Sequence, residues 1–386
     1  MKKIKILFLH SGAELYGADQ ILLTIVSNLD KDKFEAIVVL PNEGPLLEKM
    51  KEKGIRVEVI PYPIVRRQYF NVKGIFNFIG NYFKSCKKLS DFIEKEEIDI
   101  IHNNTIAVLE GIYLKKKNKI KLVTHIHEMI DHPKLVAKFL YKIHLQNCDK
   151  VILVSKAVEK HIMHLLKKSY SNIEVVNNGI ENVRYENNSI DYYKQFSIPQ
   201  EAKIVAIVGR INAIKGQDEF IRAMEKVVKN NENTYGLIIG DSFEGQEWRI
   251  DEIKKIIKEK KLENKIKYCG FRNDIKNIYN IINVLVLSSV QYDSFPTVVL
   301  EAMSVGIPTV AYKCGGVEEM IKNGYNGYLV EQYNIDMLSN KIAEALFNKS
   351  NMENNAKIYF QQNFTIEIFI KKIEIIYENW RTDHGE

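Results

Sequence analysis

Short apolar runs alternate with segments of helical periodicity along the whole chain, and no other feature narrows the fold as far. The first series of runs is Ile4 to Leu9, Ala36 to Leu40, Arg56 to Ile60, Ile98 to Ile101, Ile120 to Thr124 and Val151 to Val154. Runs this short and this continuously apolar read as strands buried on both faces. Between them, Gln20 to Leu29, Ile75 to Glu94 and Leu135 to Gln146 carry apolar residues three and four apart, the pattern of helices covering a parallel sheet. A second series follows the polar stretch Glu181 to Ser189, with strands expected at Ile204 to Val208, Gly236 to Ile239, Ile266 to Cys269, Val284 to Leu287 and Thr309 to Ala311.

This predicts two doubly wound α/β domains facing across a cleft. Residues 1–180 form the first, 181–364 the second, with a hinge around Asn178 to Ser189. In such sheets ligands bind beyond the carboxyl ends of the strands, so the cleft is the expected site. The amphipathic tail from Ile366 to Trp380, with Ile370, Ile373, Tyr377 and Trp380, is expected to cross back and join the first domain as a helix over about 365–386.

Length agrees, since 386 residues exceed a single domain of about 100–200. With 46% apolar and 27% charged residues, disorder and fibrous repeats are excluded. No apolar run reaches the roughly 18–20 residues of a membrane span, and the amino terminus does not read as a signal peptide. Cys86, Cys148, Cys269 and Cys314 are scattered without metal-ligand spacing, which fits a reducing cytoplasm. Charge is uneven: residues 1–180 hold 29 Lys and Arg against 20 Asp and Glu, the remainder 26 against 29. That asymmetry suits an anionic partner, either an acidic membrane surface or a phosphate-bearing substrate, or else ordinary solvated lysines. Lys115-Lys116-Lys117 reads as a solvated helix end, and dispersed basic residues without aromatic interleaving argue against nucleic acid.

Phosphate loops of the G-x-G-x-x-G and G-x-x-x-x-G-K-[ST] kinds are absent, as are G-x-S-x-G and H-E-x-x-H. What remains lies in the second half. The strand ending at Val208 leads into Gly209-Arg210, and Lys215-Gly216 precede a helix expected from Gln217. Two cations at a strand's carboxyl edge can neutralise a diphosphate. The stretch Asp293-Ser294-Phe295-Pro296-Thr297-Val298-Val299-Leu300-Glu301 follows another buried strand. A helix from near Thr297 sets Asp293 at its mouth and Glu301 one turn inside. Amides of the first turn would hold phosphate oxygens while the two carboxylates accept from hydroxyls, a combination suited to a sugar nucleotide.

These residues resemble the retaining glycosyltransferases of family 4, which have the GT-B fold, and the likeness covers nearly the whole chain. The family carries two glutamates with seven residues between them; here Asp293 and Glu301 keep the spacing with aspartate first. Further landmarks are Gly209-Arg210 with Lys215-Gly216, Gly270-Phe271-Arg272 with Asp274, Gly306-Ile307-Pro308, and Gly315-Gly316 with Glu318-Glu319. In the first half, Gly12 and Gly17-Ala18, His125 with His127-Glu128, and Asn178-Gly179 resemble the glycine loop, the histidine loop and the interdomain turn.

The resemblance implies that Arg210 and Lys215 bind a donor diphosphate, Glu301 the ribose hydroxyls and Asp293 the donor sugar, which a shorter side chain could select differently. The backbone of Gly209 and of Phe295, Pro296, Thr297 and Val298 would touch donor, Gly17 would approach it, and Phe271 and Arg272 would flank the base. His127 is the candidate histidine near the transferred sugar, with His125 its rival. Implied too is transfer with retained configuration from a nucleoside diphosphate sugar, the co-substrate, with no cofactor and no metal. The acceptor is expected to be a glycan or lipid-linked hydroxyl in bacterial surface polysaccharide synthesis. Arg66, Arg67, Lys84, Lys87 and Lys88, beside Tyr69, Phe70, Tyr82 and Phe83, are candidate contacts at the inner face of an anionic membrane. A sugar-nucleotide 2-epimerase of the same architecture and a non-catalytic sugar-nucleotide-binding partner are the rival readings. Donor base, sugar, linkage and oligomeric state are not specified by the sequence.

Overall fold

The computed structural model describes residues 2–66, 69, 71–185 and 190–380. The chain divides into two compact units, Met1–Gly179 with Ile366–Glu386, and Ile180–Thr365. Of the hinge expected at Asn178 to Ser189, residues 186–189 lie outside the described residues, as do Arg67 and Phe70.

The first unit is built on seven parallel strands in the order β3-β2-β1-β4-β5-β6-β7. They are β1 (Ile4–Leu9), β2 (Phe34–Leu40), β3 (Arg56–Val59), β4 (Ile100–Asn103), β5 (Lys121–Ile126), β6 (Lys150–Leu153) and β7 (Ile173–Val175). Its helices are α1 (Gly17–Asn28), α2 (Pro45–Glu52), α3 (Val72–Glu96), α4 (Glu110–Asn118), α5 (Lys134–Asn147), α6 (Lys156–Leu166) and, after the second unit, α15 (Ile366–Glu378). Strands succeed one another outward from β1 on one side and from β4 on the other, so the winding reverses between β1 and β4. At such a reversal the loops diverge and leave a crevice.

Helix α15 completes this core. Phe369, Ile370, Ile373, Ile376 and Tyr377 are buried in one cluster with residues of β1, α1 and β2. The Glu374 carboxylate accepts from the Asp30 amide at 2.7 Å, and the Tyr377 hydroxyl meets His102 Nδ1 at 2.7 Å. The stripe at 369, 370, 373, 376 and 377 is the three-and-four spacing of an amphipathic helix, and its burial stabilises the unit through loss of apolar surface to water.

The second unit is a six-stranded parallel sheet ordered β10-β9-β8-β11-β12-β13. Its strands are β8 (Lys203–Val208), β9 (Thr234–Ile239), β10 (Ile266–Gly270), β11 (Val284–Leu287), β12 (Thr309–Tyr312) and β13 (Gly327–Val330). Its helices are α7 (Tyr192–Gln195), α8 (Gln217–Asn230), α9 (Trp248–Glu259), α10 (Ile275–Ile278), α11 (Thr297–Ser304), α12 (Val317–Met320), α13 (Ile335–Phe347) and α14 (Lys349–Asn363), of which α8 and α11 follow β8 and β11. Here the winding reverses between β8 and β11, whose neighbouring loops carry the residues singled out from sequence.

Strands β7 and β13 are not among the runs read from sequence. The first is three residues with a central glutamate, the second a tetrapeptide opened by glycine, and neither shows a long apolar run. Strand β4 runs past Ile101 through His102 and Asn103, polar side chains that are nonetheless fully buried.

Candidate active site

In the second unit the loop after β8 carries Gly209, Arg210 and Lys215, and the loop after β11 carries Asp293. Adjacent strands bring them together: Lys215 Nζ is ion-paired with the Asp293 carboxylate, both side chains being largely buried. Gly216 makes that approach feasible. Its φ of +66° lies in the left-handed region, and a Cβ there would overlap the Ser288 carbonyl oxygen at the end of β11. Asn212 Oδ1 accepts from the amides of Ile214 and Lys215 at 2.9 and 3.0 Å, which fixes the loop between the two cations. The Arg210 guanidinium lies 3.7 Å from the centre of the Phe243 ring, and the Arg210 carbonyl accepts from Gln217 Nε2 at 2.9 Å.

Asp293 is held from behind by the glycine pair after β12. The Gly316 amide donates to the Asp293 carbonyl at 2.8 Å, and at Gly315, with φ +78°, a side chain would overlap that same carbonyl. Phe295 is buried 5.8 Å from the ring of Phe364, so the segment entering α11 is pinned by packing. Pro296 precedes Thr297 as the N-cap and no side chain caps the helix. The first-turn amides of Thr297 and Val298 therefore face the loop with the partial positive charge of the helix end.

One turn inside, Glu301 is half-buried and its Oε2 accepts from the Tyr279 hydroxyl at 2.7 Å. Burial pushes the Glu301 carboxyl above the usual carboxylate range, opposed by the Tyr279 hydrogen bond. Tyr279 is itself fully buried, so it orients Glu301 from the protein side. Arg272 sits after β10 and forks onto Asp274 through Nε and Nη2 at 2.7 and 2.6 Å, while Phe271 beside it is exposed. Lys215, Asp293 and the mouth of α11 thus share one locus, and Arg272 is engaged by its own loop.

In the first unit Gly17 opens α1 with nothing near the position of a Cβ. The polar chemistry gathers after β1, β4 and β5. Asp19 Oδ1 lies 2.6 Å from His10 Nε2, while Asp19 Oδ2 accepts from the Tyr16 amide at 2.7 Å. Asn104 Nδ2 donates to the Ala18 carbonyl at 3.2 Å and reaches His10 Nδ1 at 3.3 Å; Asn104 Oδ1 is 3.3 Å from His127 Nε2. Once the amide is oriented by Ala18, His10 Nδ1 must accept, so His10 Nε2–H donates to Asp19 and His127 Nε2–H donates to Asn104. Glu128 accepts from the Thr105 hydroxyl and, at 3.0 Å, from the His127 amide.

The two candidate histidines differ plainly. His125 is fully buried, its ring 4.1 Å from that of His127 and 5.6 Å from that of His102, and neither ring nitrogen has a hydrogen-bond partner. His127 lies beyond the end of β5 and is only partly buried. Burial and the neighbouring rings hold both well below the ordinary histidine range, so both are neutral. His125 belongs to the core, and His127 is the one a ligand could reach. Arg66 Nη2 donates to the Ser11 carbonyl at 3.1 Å, and Lys84, Lys87 and Lys88 lie exposed on α3. Among the described residues no group of three His, Cys, Asp or Glu is arranged to hold a metal ion, and no helix is long and apolar enough to cross a membrane.

Sequence reasoning missed Tyr279, Phe243 and Ser288, whose roles arise from strands distant in the chain, and the linkage of His10, Asp19 and Asn104. One signal was present: His10 follows β1 directly, at the same sheet edge as His127.

Two wound parallel α/β units of this kind, with cations, an acidic pair and an open helix end at the second unit's winding reversal, define the GT-B class of glycosyltransferases. Residues 16–184 match the family described as Glycosyltransferase Family 4, and residues 189–362 match Glycosyl transferases group 1. The chain is a glycosyltransferase and belongs to family 4. It is 24% identical to the UDP-Gal:alpha-D-GlcNAc-diphosphoundecaprenol alpha-1,3-galactosyltransferase of Escherichia coli, over 97% of both chains. It is 24% identical to the N-acetyl-alpha-D-glucosaminyl L-malate synthase of Bacillus anthracis, over 80% of this chain and 81% of that one. Its fold is shared with Anabaena HepE, solved in complex with UDP, at a TM-score of 0.84 and 23% identity over 97% of this chain and 100% of that one.

Proposed function

We propose that the chain transfers a sugar from a nucleoside diphosphate sugar to a hydroxyl of a glycan or lipid-linked acceptor, retaining the anomeric configuration and needing no bound metal. The observation that carries the reading is the Lys215–Asp293 pair at the uncapped mouth of α11. Without ligand the two charges neutralise each other. On donor binding Lys215 turns to the diphosphate and Asp293 to the sugar hydroxyls, so each half of the pair has a partner on the same molecule. Glu301, held by Tyr279, accepts from the ribose hydroxyls.

As the bond between the anomeric carbon and the diphosphate oxygen breaks, charge grows on the leaving group. Lys215, Arg210 and the α11 amides stabilise that charge more in the transition state than in the ground state. The acceptor oxygen bonds to the anomeric carbon and its proton passes to a leaving-group oxygen, so no protein nucleophile is required. A UDP-bound protein of like fold and a relative named for a diphosphoundecaprenol-linked substrate support a nucleotide donor and a lipid-linked acceptor. The basic first half suits work at the inner face of an anionic membrane in surface polysaccharide assembly, with the enzyme in the cytoplasm.

The test is a thermal-shift screen against a panel of nucleoside diphosphate sugars, then turnover of the strongest binder with and without acceptor. Stabilisation by one donor series, with release of nucleoside diphosphate that Glu301→Ala removes, is expected. An epimerised sugar formed without acceptor, or parental turnover in Glu301→Ala, would overturn the reading.

A further inference from the structure

The first unit carries an apolar face that its own fold leaves uncovered. In α3 the buried side chains lie mainly in the second half, at Ser85, Cys86, Leu89, Ser90 and Ile93. Over the first three turns Val72, Ile75, Phe76, Ile79 and Phe83 fall three and four apart, on one side of the helix, and all five are exposed. Helix α5 repeats the pattern with Leu135 and Phe139. Phe76 is 71% exposed, Leu135 81% and Phe139 55%, values far from those of a packed side chain. The two helices share a cavity of about 420 Å³ lined by Tyr69, Ile75, Phe78, Leu135, Phe139 and Leu140 among others, so the exposed groups form one continuous surface.

The charge has a single sign over α5 and over α3 as far as Ser90, with Asp91, Glu94 and Glu96 confined to the last turns of α3 beyond the apolar stripe. Val72–Ser90 and Lys134–Asn147 contain seven lysines, Lys73, Lys84, Lys87, Lys88, Lys134, Lys138 and Lys142, and no aspartate or glutamate. All seven are exposed. Asp131, just ahead of α5, is turned to His161 at 3.6 Å. Lys84 and Lys88 line a second cavity of about 320 Å³ that shares Tyr69 with the apolar one, which puts cationic and apolar recesses side by side.

We infer that this α3–α5 face docks on the surface of an anionic phospholipid bilayer, with Phe76, Leu135 and Phe139 entering the headgroup–acyl boundary and the lysines among the lipid phosphates. An amphipathic surface with protruding aromatic and aliphatic groups and exposed lysines on the same two helices matches that boundary in both polarity and charge. A second copy of the chain fits worse, because a two-fold contact through this face would bring lysines against lysines. Nucleic acid would match the lysines and leave the phenylalanines and leucine in water. The inference deepens the membrane part of the function proposed above and is independent of the donor site.

The full chain is tested by flotation with vesicles of phosphatidylglycerol and phosphatidylcholine, against vesicles of phosphatidylcholine alone. Partition to the anionic vesicles is expected, reduced by salt. It falls at least about tenfold in the triple variant Phe76→Ser, Leu135→Ser, Phe139→Ser and also in Lys73→Gln, Lys134→Gln, Lys138→Gln. Because the substituted side chains are exposed, melting temperature and nucleotide binding stay parental, which separates failure here from failure of the donor reading. Parental partition in the triple serine variant, or equal partition to both vesicle types, overturns the inference. So does an oligomer in sedimentation that the serine variant dissociates while the vesicles bind no protein.

Discussion

The two units are wound alike and handle charge in opposite ways. Histidines 10, 102, 125, 127, 132, 144, 161 and 164 all lie in the first unit; the second, Ile180–Thr365, has none. By the same division the first holds 32 basic against 25 acidic side chains and the second 23 against 24. Yet the near-neutral unit has a lysine–aspartate ion pair at its strand ends, Lys215 with Asp293, while the basic unit, among the described residues, places no lysine or arginine in the network at its own strand ends and fills it with histidine rings, the Asn104 amide and the carboxyl groups of Asp19 and Glu128. The net charge of a unit therefore does not reveal where its strand-end charges are paired. Placement at the winding reversal does, and the surplus cations of the first unit lie instead on its outer helices.

The largest expected effect sharpens that contrast. Lys215→Ala and Glu301→Ala should each lower donor turnover by roughly two to three orders of magnitude, the scale of losing one preorganised electrostatic group. Melting should show both variants folded. Parental turnover in either would remove the second unit's claim to the chemistry.

Next in size is a pair of glycine substitutions, one in each unit. Gly216→Ala puts a side chain at positive φ and into the Ser288 carbonyl, so the second unit should lose about 2–3 kcal/mol. At Gly17 a Cβ meets nothing, and Gly17→Ala should stay within about 0.5 kcal/mol. Trp248 lies in the second unit and Trp380 in the first, so denaturation followed by fluorescence in Trp380→Phe and Trp248→Phe backgrounds reads each unit separately. Equal losses would mean that the Ser288 contact does not constrain the loop.

Acidification should then divide the units. Burial lowers His102 to about 3 and His144 to about 4, and depresses His125 and His127 as well. In the unfolded chain these rings protonate near 6.5. Stability is therefore complete above pH 6.5 and declines as pH falls towards the folded values, by about 1.4 kcal/mol per pH unit for each ring that stays neutral only when folded. Glu110, raised to about 7 by burial, and Glu128, also raised, act in the opposite sense, because they gain their proton more readily in the folded state. With four rings against two carboxyls the first unit should be weaker at pH 5 than at pH 7. In the second unit the raised Glu301 gives a change of opposite sign over the same range. Urea titrations of the two single-tryptophan proteins at both pH values check this, and parallel losses would contradict it.

What was legible from sequence follows the same division. Lys215, Asp293 and Glu301 stand out because each lies within a few residues of a strand end or helix start, so local pattern locates them. The strands were legible where burial on both faces forces continuous apolar runs, and β4 was cut short because His102 and Asn103 break the run while remaining inside. Residues that act by crossing the sheet were not legible. Tyr279 reaches Glu301 over 22 positions and Asn104 reaches His10 over 94, separations that carry no periodic signal. The choice between His125 and His127 was equally closed to sequence, since both follow one strand and only the packing of His102 and Phe369 shows which is internal.

The smallest effect concerns that crossing network, and it tests whether the neutral end of the first unit contributes to turnover at all. Asn104 hydrogen-bonds to both His10 and His127, and its orientation is set by the Ala18 carbonyl rather than by either ring. Replacing it by alanine frees the His127 tautomer and takes the donor from His10 Nδ1, whose tautomer Asp19 still holds, without removing an imidazole. Turnover should fall by about tenfold, as small misplacements of an aligned group do, while nucleotide affinity is unchanged because Lys215 and Glu301 are untouched. Asn104→Asp separates positioning from packing. It keeps the volume and an acceptor for His127 Nε2–H but loses the donor to His10, so recovery to parental turnover would assign the role to His127 alone. If nucleotide affinity falls in step with turnover in the alanine variant, the network acts on donor binding, and the division of labour between the units is wrong.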